Sequence, residues 1–274
     1  MHPTCAQESC PLFHIRDNLP SKTFTQKELP SQFEIDLPNT HCNIGGTKPT
    51  ADTACIMCER AAPNFVPQID RLPEVCEALK PYVKYIDTIH VQGVAEPFWQ
   101  GRIFDCLEAL GVDKYKDQIV VSTTTNGTVI DAKKMEKWLA YPKSCATFSL
   151  DAATPETYQK IRRLNAYHAV IKTMLRLNQQ RTGQQKMYIH NNINLLNIAE
   201  VSQMVETAAM VGADSISFQP TSCLPGLEVS ASNLKQFNEA ETQILESADR
   251  LGVTVEFWRK LTLDIEPTLV QLKV

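Results

Sequence analysis

The sequence predicts an α/β chain folded as an incomplete parallel (β/α)6 barrel, and three observations predict it. Short extended stretches alternate with helical periodicities long enough to serve as crossovers, which is how parallel strands are joined. Several of those strands are apolar on one face and polar on the other, whereas fully buried parallel strands read as continuous apolar runs. Residue types that carry chemistry recur just past the strand ends, the side on which α/β barrels hold their sites. At 274 residues one domain is the expectation. It divides into an irregular arm at 1–31, a barrel core at 32–222, and a C-terminal helix with an additional possible strand at 223–274 completing the same domain. A doubly wound sheet is the alternative, because strand order is not legible in a single sequence.

The elements follow in order. The arm carries prolines and no sustained period. Residues 33–39 open with Phe33-Glu-Ile-Asp-Leu37, an alternation that reads as a two-faced strand. Residues 67–83 read as a helix with Ile69, Leu72, Val75, Cys76 and Leu79 on one side, followed by a strand at 85–93. Helices at 98–111 and 131–141 alternate with strands at 118–126 and 145–151. Residues 155–180 read as helical with a break near Asn165, and 186–194 as a strand. Val201, Met204, Val205 and Ala208 mark a helix at 199–211, before a strand at 214–220. A last helix at 231–251 turns Leu234, Phe237, Ile244, Leu245, Ala248 and Leu251 inward. Val253 to Phe257 supply one more possible strand, so the count is six with a seventh in reserve. Thr154 before Pro155, Asp131 and Ser230 are the expected N-caps.

The polar phases are Thr147, Ser149 and Asp151; His190, Asn192 and Asn194; Ser215, Ser217 and Gln219; and His90 and Gln92. With helices over the apolar phases, these side chains must line the middle, which predicts a polar, ligand-holding lumen. A net charge of −4 with interspersed signs gives no basic stripe, so nucleic acid is not indicated. No secretory leader is legible and no segment approaches the roughly 20 apolar residues of a membrane span; a soluble, cytoplasmic protein is expected. Nine cysteines, an odd number without a leader, argue for reduced thiols. Cys76, Cys106 and Cys145 fall in apolar patterns and are expected in the core. Cys5 and Cys10 form either a second metal site or part of a loose end.

Cys42 and Cys55-x-x-Cys58 stand where the first strand runs out. Soft thiolates in such a loop are candidate metal or iron–sulfur ligands. A zinc site completed by His41 or another thiol, stabilising a non-catalytic binding barrel, is one reading of them. Against it stand three further strand ends on the same rim: Val91 to Pro97 with Gly93 and Glu96, Ser122 to Gly127 with Asn126, and Ser149 to Ala152 with Arg162 one helix later. A zinc knuckle does not account for these.

Taken together, the cysteine set, Gly93 to Pro97, Thr125-Asn-Gly127, Phe148-Ser-Leu-Asp-Ala152 with Ile161-Arg162, and Asn197 to Gly212 resemble the radical S-adenosylmethionine (SAM) superfamily, whose barrel is TIM-like. The resemblance implies that Cys42, Cys55 and Cys58 bind three irons of a [4Fe–4S] cluster whose fourth iron is chelated by SAM. It further implies reductive cleavage of SAM to a 5′-deoxyadenosyl radical that abstracts hydrogen from a peptide or small-molecule substrate, with the electron coming from a flavodoxin or ferredoxin. By the same resemblance Gly93 and Glu96 meet the SAM ammonium, and Ser149 and Asp151 bind the ribose or amino-acid moiety. Asn192 and Asn194 make similar contacts, Arg162 either pairs with the SAM carboxylate or faces solvent, and Asn126 either binds or shapes its turn. Cys223 is a candidate hydrogen-donor thiol. The chain departs from the usual pattern in placing twelve residues, 43–54, between the first two cysteines where the family commonly has three. A fourfold longer loop costs only about 1.2 kcal/mol in closure, so the excursion is expected to leave Cys42 beside Cys55 and Cys58. Met57 stands where an aromatic residue is usual. A synthase of the deazapurine type, in which unusual cysteine loops occur, is a second reading within the resemblance.

Overall fold

The computed structural model describes residues 30–221, 224, 226–230 and 232–257. Residues 1–29 of the predicted arm, with Cys5 and Cys10, and Cys223 lie outside them. Seven strands form one all-parallel sheet in sequential order: β1 (Gln32–Asp36), β2 (Thr88–Gln92), β3 (Val120–Thr125), β4 (Ser144–Ser149), β5 (Lys186–Ile193), β6 (Ser215–Pro220) and β7 (Val255–Phe257). Each strand pairs only with its sequence neighbours, so every crossover advances the sheet in one direction, the connectivity of a barrel rather than of a doubly wound sheet. The reserve strand is β7, in register with β6 at Ile216 and Val255. Among the described residues β1 and β7 remain the two edges of the sheet.

The crossovers carry α1 (Leu72–Leu79), α2 (Arg102–Leu110), α3 (Ala132–Leu139), α4 (Pro155–Arg162) with α5 (Tyr167–Gln180), α6 (Val201–Val211) and α7 (Leu234–Leu251). Their apolar sides pack on one face of the sheet, where Ile89, Val91, Val121, Phe148, Met187, Ile189 and Phe218 meet Ile103, Leu107, Met174, Val205 and Ile244. The opposite phase is polar and half-buried: β2, β3 and β4 alternate buried and intermediate residues strictly. That alternation is the inward-facing polar lining expected from the sequence. Cys145 belongs to this phase and is half-buried, not part of the apolar layer as its pattern suggested, because it shares the phase of Thr147 and Ser149. Cys76 and Cys106 do lie in the core, their sulfurs 3.8 Å apart between α1 and α2.

Several helix bounds differ from expectation for local reasons. Pro73 starts α1 and Pro81, which has no N–H to give, forces a 3-10 turn at Lys80–Tyr85. Ile69 and Val75, expected inward, are 78% and 41% exposed. Gln100 and Gly101 both sit at positive φ and delay α2 to Arg102. The break near Asn165 falls between α4 and α5, where Arg163 at φ 57 closes α4. Asp131 and Thr154 cap their helices by accepting from Lys134 N and Thr157 N. Ser230 does not cap α7; its own N–H donates to Asn233 Oδ1 at 2.8 Å. No helix among the described residues is long and apolar enough to cross a membrane.

At the opposite end of the sheet from the predicted site, Asp214 accepts from Met187 N at 2.9 Å and Lys186 Nζ at 3.0 Å and pairs with Arg181. Burial opposes its charge, but these donors together hold its carboxyl below the usual range. A carboxyl with a lowered folded pKa stabilises the protein above its unfolded value and loses that contribution as pH falls through the folded one. Asp214→Asn is therefore expected to cost about 1.5–3 kcal/mol at pH 7. In urea titrations at decreasing pH the variant and the parent should converge in the acid range, below the usual carboxylate pKa.

Candidate active site at the carboxyl ends of the strands

β1 ends at Asp36, and Leu37 N donates to Gln92 O at 2.7 Å before the chain leaves the sheet. Gly93, at the end of β2, lies directly beneath this exit. Its φ is +121°, and a Cβ there would stand 2.8 Å from Leu37 O and 3.0 Å from Leu37 N, so only glycine lets the two strand ends come this close. A cavity of about 260 Å³ opens beside them, lined by Asp36, Leu37, Gln68, Gln92, Gly93 and Val94. Asn39 and Gln68 clasp each other reciprocally over it, N–H to side-chain oxygen, at 2.8 and 3.0 Å.

The cysteine loop is tied down at several points. His41 O accepts from Glu96 N at 2.7 Å. Asn43 donates to Thr128 Oγ1 at 2.9 Å and accepts from Asn126 Nδ2 at 3.0 Å, while Asn126 Oδ1 accepts from Thr128 N and Oγ1. Arg60 is 1% exposed and donates to Ile44 O at 2.7 Å and to Gly46 O, folding the start of the 43–54 excursion back onto the segment that follows Cys58. Ile56 N donates to Ile161 O at 3.0 Å, which lays Cys55 on the end of α4. Burial pushes the Cys42 thiol up to about 12, against an opposing hydrogen bond from Ile44 N–H, and raises Cys58 also. All three thiols are free. Among the described residues no three His, Cys, Asp or Glu side chains are gathered as a ready metal-binding group, so the expected juxtaposition of Cys42 with the other two is not a closed ligand set.

Glu96 is 1% exposed. Its carboxylate accepts from Thr125 Oγ1 and Asn126 N, both at 2.6 Å, and from Phe98 N at 3.2 Å. Burial nevertheless raises its pKa, with these donors and Arg162 opposing. Arg162 is 9% exposed and so does not face solvent. It pairs with Asp151, and its Nη1 lies 3.9 Å from Cys55 Sγ. Asp151, wholly buried, also accepts from Asn192 N at 2.8 Å. Asn194, also buried, shapes the turn after β5: its Oδ1 accepts from Leu196 N and its N–H donates to Asn197 Oδ1. Asn197 bridges Asp151 O and Asn192 O at 2.8 and 2.9 Å. Ser149 is half-buried on the inner phase of β4.

Sequence reading gave no role to Asn43, Arg60 or Tyr158, and quoted Thr125 and Asn197 only within longer motifs. Asn43 and Thr125 directly flank residues it singled out, so adjacency was the available signal. Arg60 belongs to none of the motifs, and nothing in the residues around it in the sequence marks a buried cation.

No family model and no curated protein matches the sequence. Solved structures do match. SuiB of Streptococcus suis bound to S-adenosylmethionine is similar at TM-score 0.60 and 14% identity, over 84% of this chain and 47% of that one. anSMEcpe with bound AdoMet is similar at TM-score 0.60 and 16% identity, over 83% and 64%. A radical SAM methyltransferase from Sphaerobacter thermophilus is similar at TM-score 0.57 and 13% identity, over 89% and 71%. The fold is that of these radical SAM enzymes, and this chain spans about half the length of SuiB.

Cys42, Cys55 and Cys58 are free thiols, the donor type that an iron–sulfur group takes, and the buried Tyr158 hydroxyl on α4 has no hydrogen-bond partner. Replacing Arg162 by alanine would leave the Asp151 carboxylate buried and unpaired. The expected loss is about 3–5 kcal/mol, and Arg162→Ala combined with Asp151→Ala should cost clearly less than the sum of the single changes, measured by urea denaturation.

Proposed function

We propose that this chain is a radical SAM enzyme acting on a peptide or small-molecule substrate. In this reading Cys42, Cys55 and Cys58 hold a [4Fe–4S] cluster, residues 32–222 form the catalytic core, and the segment from 223 completes the same domain. The observation that carries it is the meeting, on one edge of a seven-stranded parallel sheet, of Cys55 with Arg162 and of the Cys42 loop with Glu96. When bound, the cluster and SAM supply a one-electron cleavage that yields a 5′-deoxyadenosyl radical able to take hydrogen from a substrate.

The protein's own part is orientation and charge. Glu96, a buried carboxylate held by Thr125, Asn126 and Phe98, is the proposed partner of the SAM ammonium. Gly93 supplies a backbone that a ligand can approach without a side chain in the way. Ser149 and Asn192, on the inner phase of β4 and β5, are the proposed partners of the ribose. Arg162 is ion-paired with Asp151, so the proposed role of Arg162 is to hold Cys55, and that of Asp151 to fix Arg162 and Asn192. Asn126 and Asn194 hold their turns. The half-open polar lumen leaves room for substrate, and the peptide named with SuiB, precursor SuiA, supports a peptide as one class. A reduced flavodoxin or ferredoxin is the proposed electron source.

The zinc-stabilised binding barrel makes the opposite forecast. After anaerobic purification and reconstitution, the enzyme reading expects about four irons per chain and 5′-deoxyadenosine formed from SAM under dithionite. Cys58→Ala should retain less iron and form no 5′-deoxyadenosine. Stoichiometric zinc without iron uptake would overturn the proposal.

A further inference from the structure

The inner phase of the first three strands holds a chain of polar side chains that the proposed radical reaction does not use. Glu34 on β1, His90 and Gln92 on β2 and Ser122 on β3 share one face, Glu34 level with His90 and His90 level with Ser122 in the register. His90 Nδ1 lies 2.7 Å from Ser122 Oγ, His90 Nε2 lies 2.8 Å from Gln92 Oε1, and Gln92 Nε2 donates to Glu34. An ionised carboxylate only accepts, so Gln92 turns its NH2 to Glu34 and its carbonyl oxygen to His90. That oxygen only accepts in its turn, which puts the neutral imidazole's proton on Nε2 and leaves Nδ1 to accept from the Ser122 hydroxyl. The other acceptor within reach of Ser122, Ile89 O, is 3.4 Å away. The chain tolerates a change of charge: on gaining a proton, Nδ1 would donate to Ser122 Oγ while the bond to Gln92 stayed as it is. His90, Gln92 and Ser122 are half-buried and Glu34 is exposed, so a ligand in the lumen can reach them; Ser217 and His190, 2.9 Å apart, are both buried. Thr124, two residues beyond Ser122, and its register partner Thr147 add half-buried hydroxyls to the same face.

A hydroxyl within hydrogen-bond reach of a base that a third group orients is the arrangement that activates a serine for covalent catalysis. We propose that Ser122 and His90 are a second catalytic pair, acting on carboxylic esters brought into the lumen, with Gln92 as their positioning residue and Glu34 fixing Gln92. Ser122 Oγ attacks the ester's carbonyl carbon as its proton passes to His90 Nδ1. The Oγ–C bond forms, the ester C–O bond breaks, and the proton on His90 leaves with the departing alcohol. Water, giving a proton to His90 in the same way, then releases the acid and restores the serine. The Thr124 and Thr147 hydroxyls are the donors assigned to the carbonyl oxygen. Every step moves protons and electron pairs alone, so the inference does not rest on the reading of Cys42, Cys55 and Cys58 as cluster ligands.

The probe is diisopropyl fluorophosphate, on which an activated serine forms an O–P bond and expels fluoride. The full chain as purified should gain a single adduct, mapped to Ser122 by peptide mass spectrometry, and the urea-unfolded chain none. Ser122→Ala should abolish the adduct, and His90→Gln should slow its formation by about 100-fold or more. Gln92→Leu, which takes away the acceptor for His90 Nε2, should slow it as well, and Gln92→Glu, which gives an acceptor back, should recover it; a part played in the fold alone predicts no such recovery. Failure of the folded parent to react overturns the proposal. So does an adduct on Ser217 in place of Ser122, or one that forms in His90→Gln at the parent's rate. If His90→Gln does not fold, the comparison of the folded with the unfolded parent at Ser122 decides alone.

Discussion

The site depends first on the ion pair between Arg162 and Asp151. Both groups are buried, so each on its own would be a heavy burden on folding, and desolvation takes back much of what the pair returns. What makes it tolerable is that its members are shared. Asp151, just past β4, accepts from Asn192 N on β5. Arg162, at the end of α4, also reaches Cys55 of the loop that follows β1. One charge pair thereby joins three elements distant in sequence, and does so at the rim where the cysteines stand. Its worth lies in fixing where Cys55 sits more than in net stability.

The fold was legible because its signals are local and repeated. Strand phases such as Ile89 and Val91 against His90 and Gln92 give the sheet's two faces directly, and Thr154-Pro155 and the break near Asn165 give the α4 and α5 bounds. What failed was read from periodicity alone. Ile69 and Val75 fit a helical stripe, but Ile69 falls before α1 starts at Leu72, and Val75 lies within α1 on a side that is not buried with Leu72 and Cys76, so both are exposed. Cys145 looked apolar by composition and was turned inward by register. The residues of the site were legible as types at strand ends; their partners were not. Nothing in the sequence says that Arg162 spends its guanidinium on Asp151, or that Arg60 closes back on Ile44 and Gly46, because both pairings are made by tertiary folding across 11 and 14 to 16 residues.

The long interval between Cys42 and Cys55 has a mechanical explanation in the same terms. Asn43 is clamped to Asn126 and Thr128 at one end, Arg60 grips Ile44 and Gly46 from beyond the other, and Ile56 is held by α4. The residues between are left to form a turn whose own contacts, such as Thr50 with Thr53, are internal. Length is absorbed there without moving the anchors. This is why the spacing of the cysteines is a poorer guide than their attachments.

Among the described residues, β1 and β7 have no outer neighbour in the sheet, which bears on how the molecule behaves in company. A parallel sheet that stops short of closure leaves backbone donors and acceptors facing outward on its first and last strands, a template on which another copy can extend the sheet. β1 alternates Phe33 and Ile35, both buried, with exposed Glu34 and Asp36, and β7 is only three residues long. A second β1 laid alongside the first would bring like carboxylates together, and a strand added to β7 would gain few backbone bonds. Among the described residues, the carboxylates of β1 thus oppose the addition of a second copy at that edge.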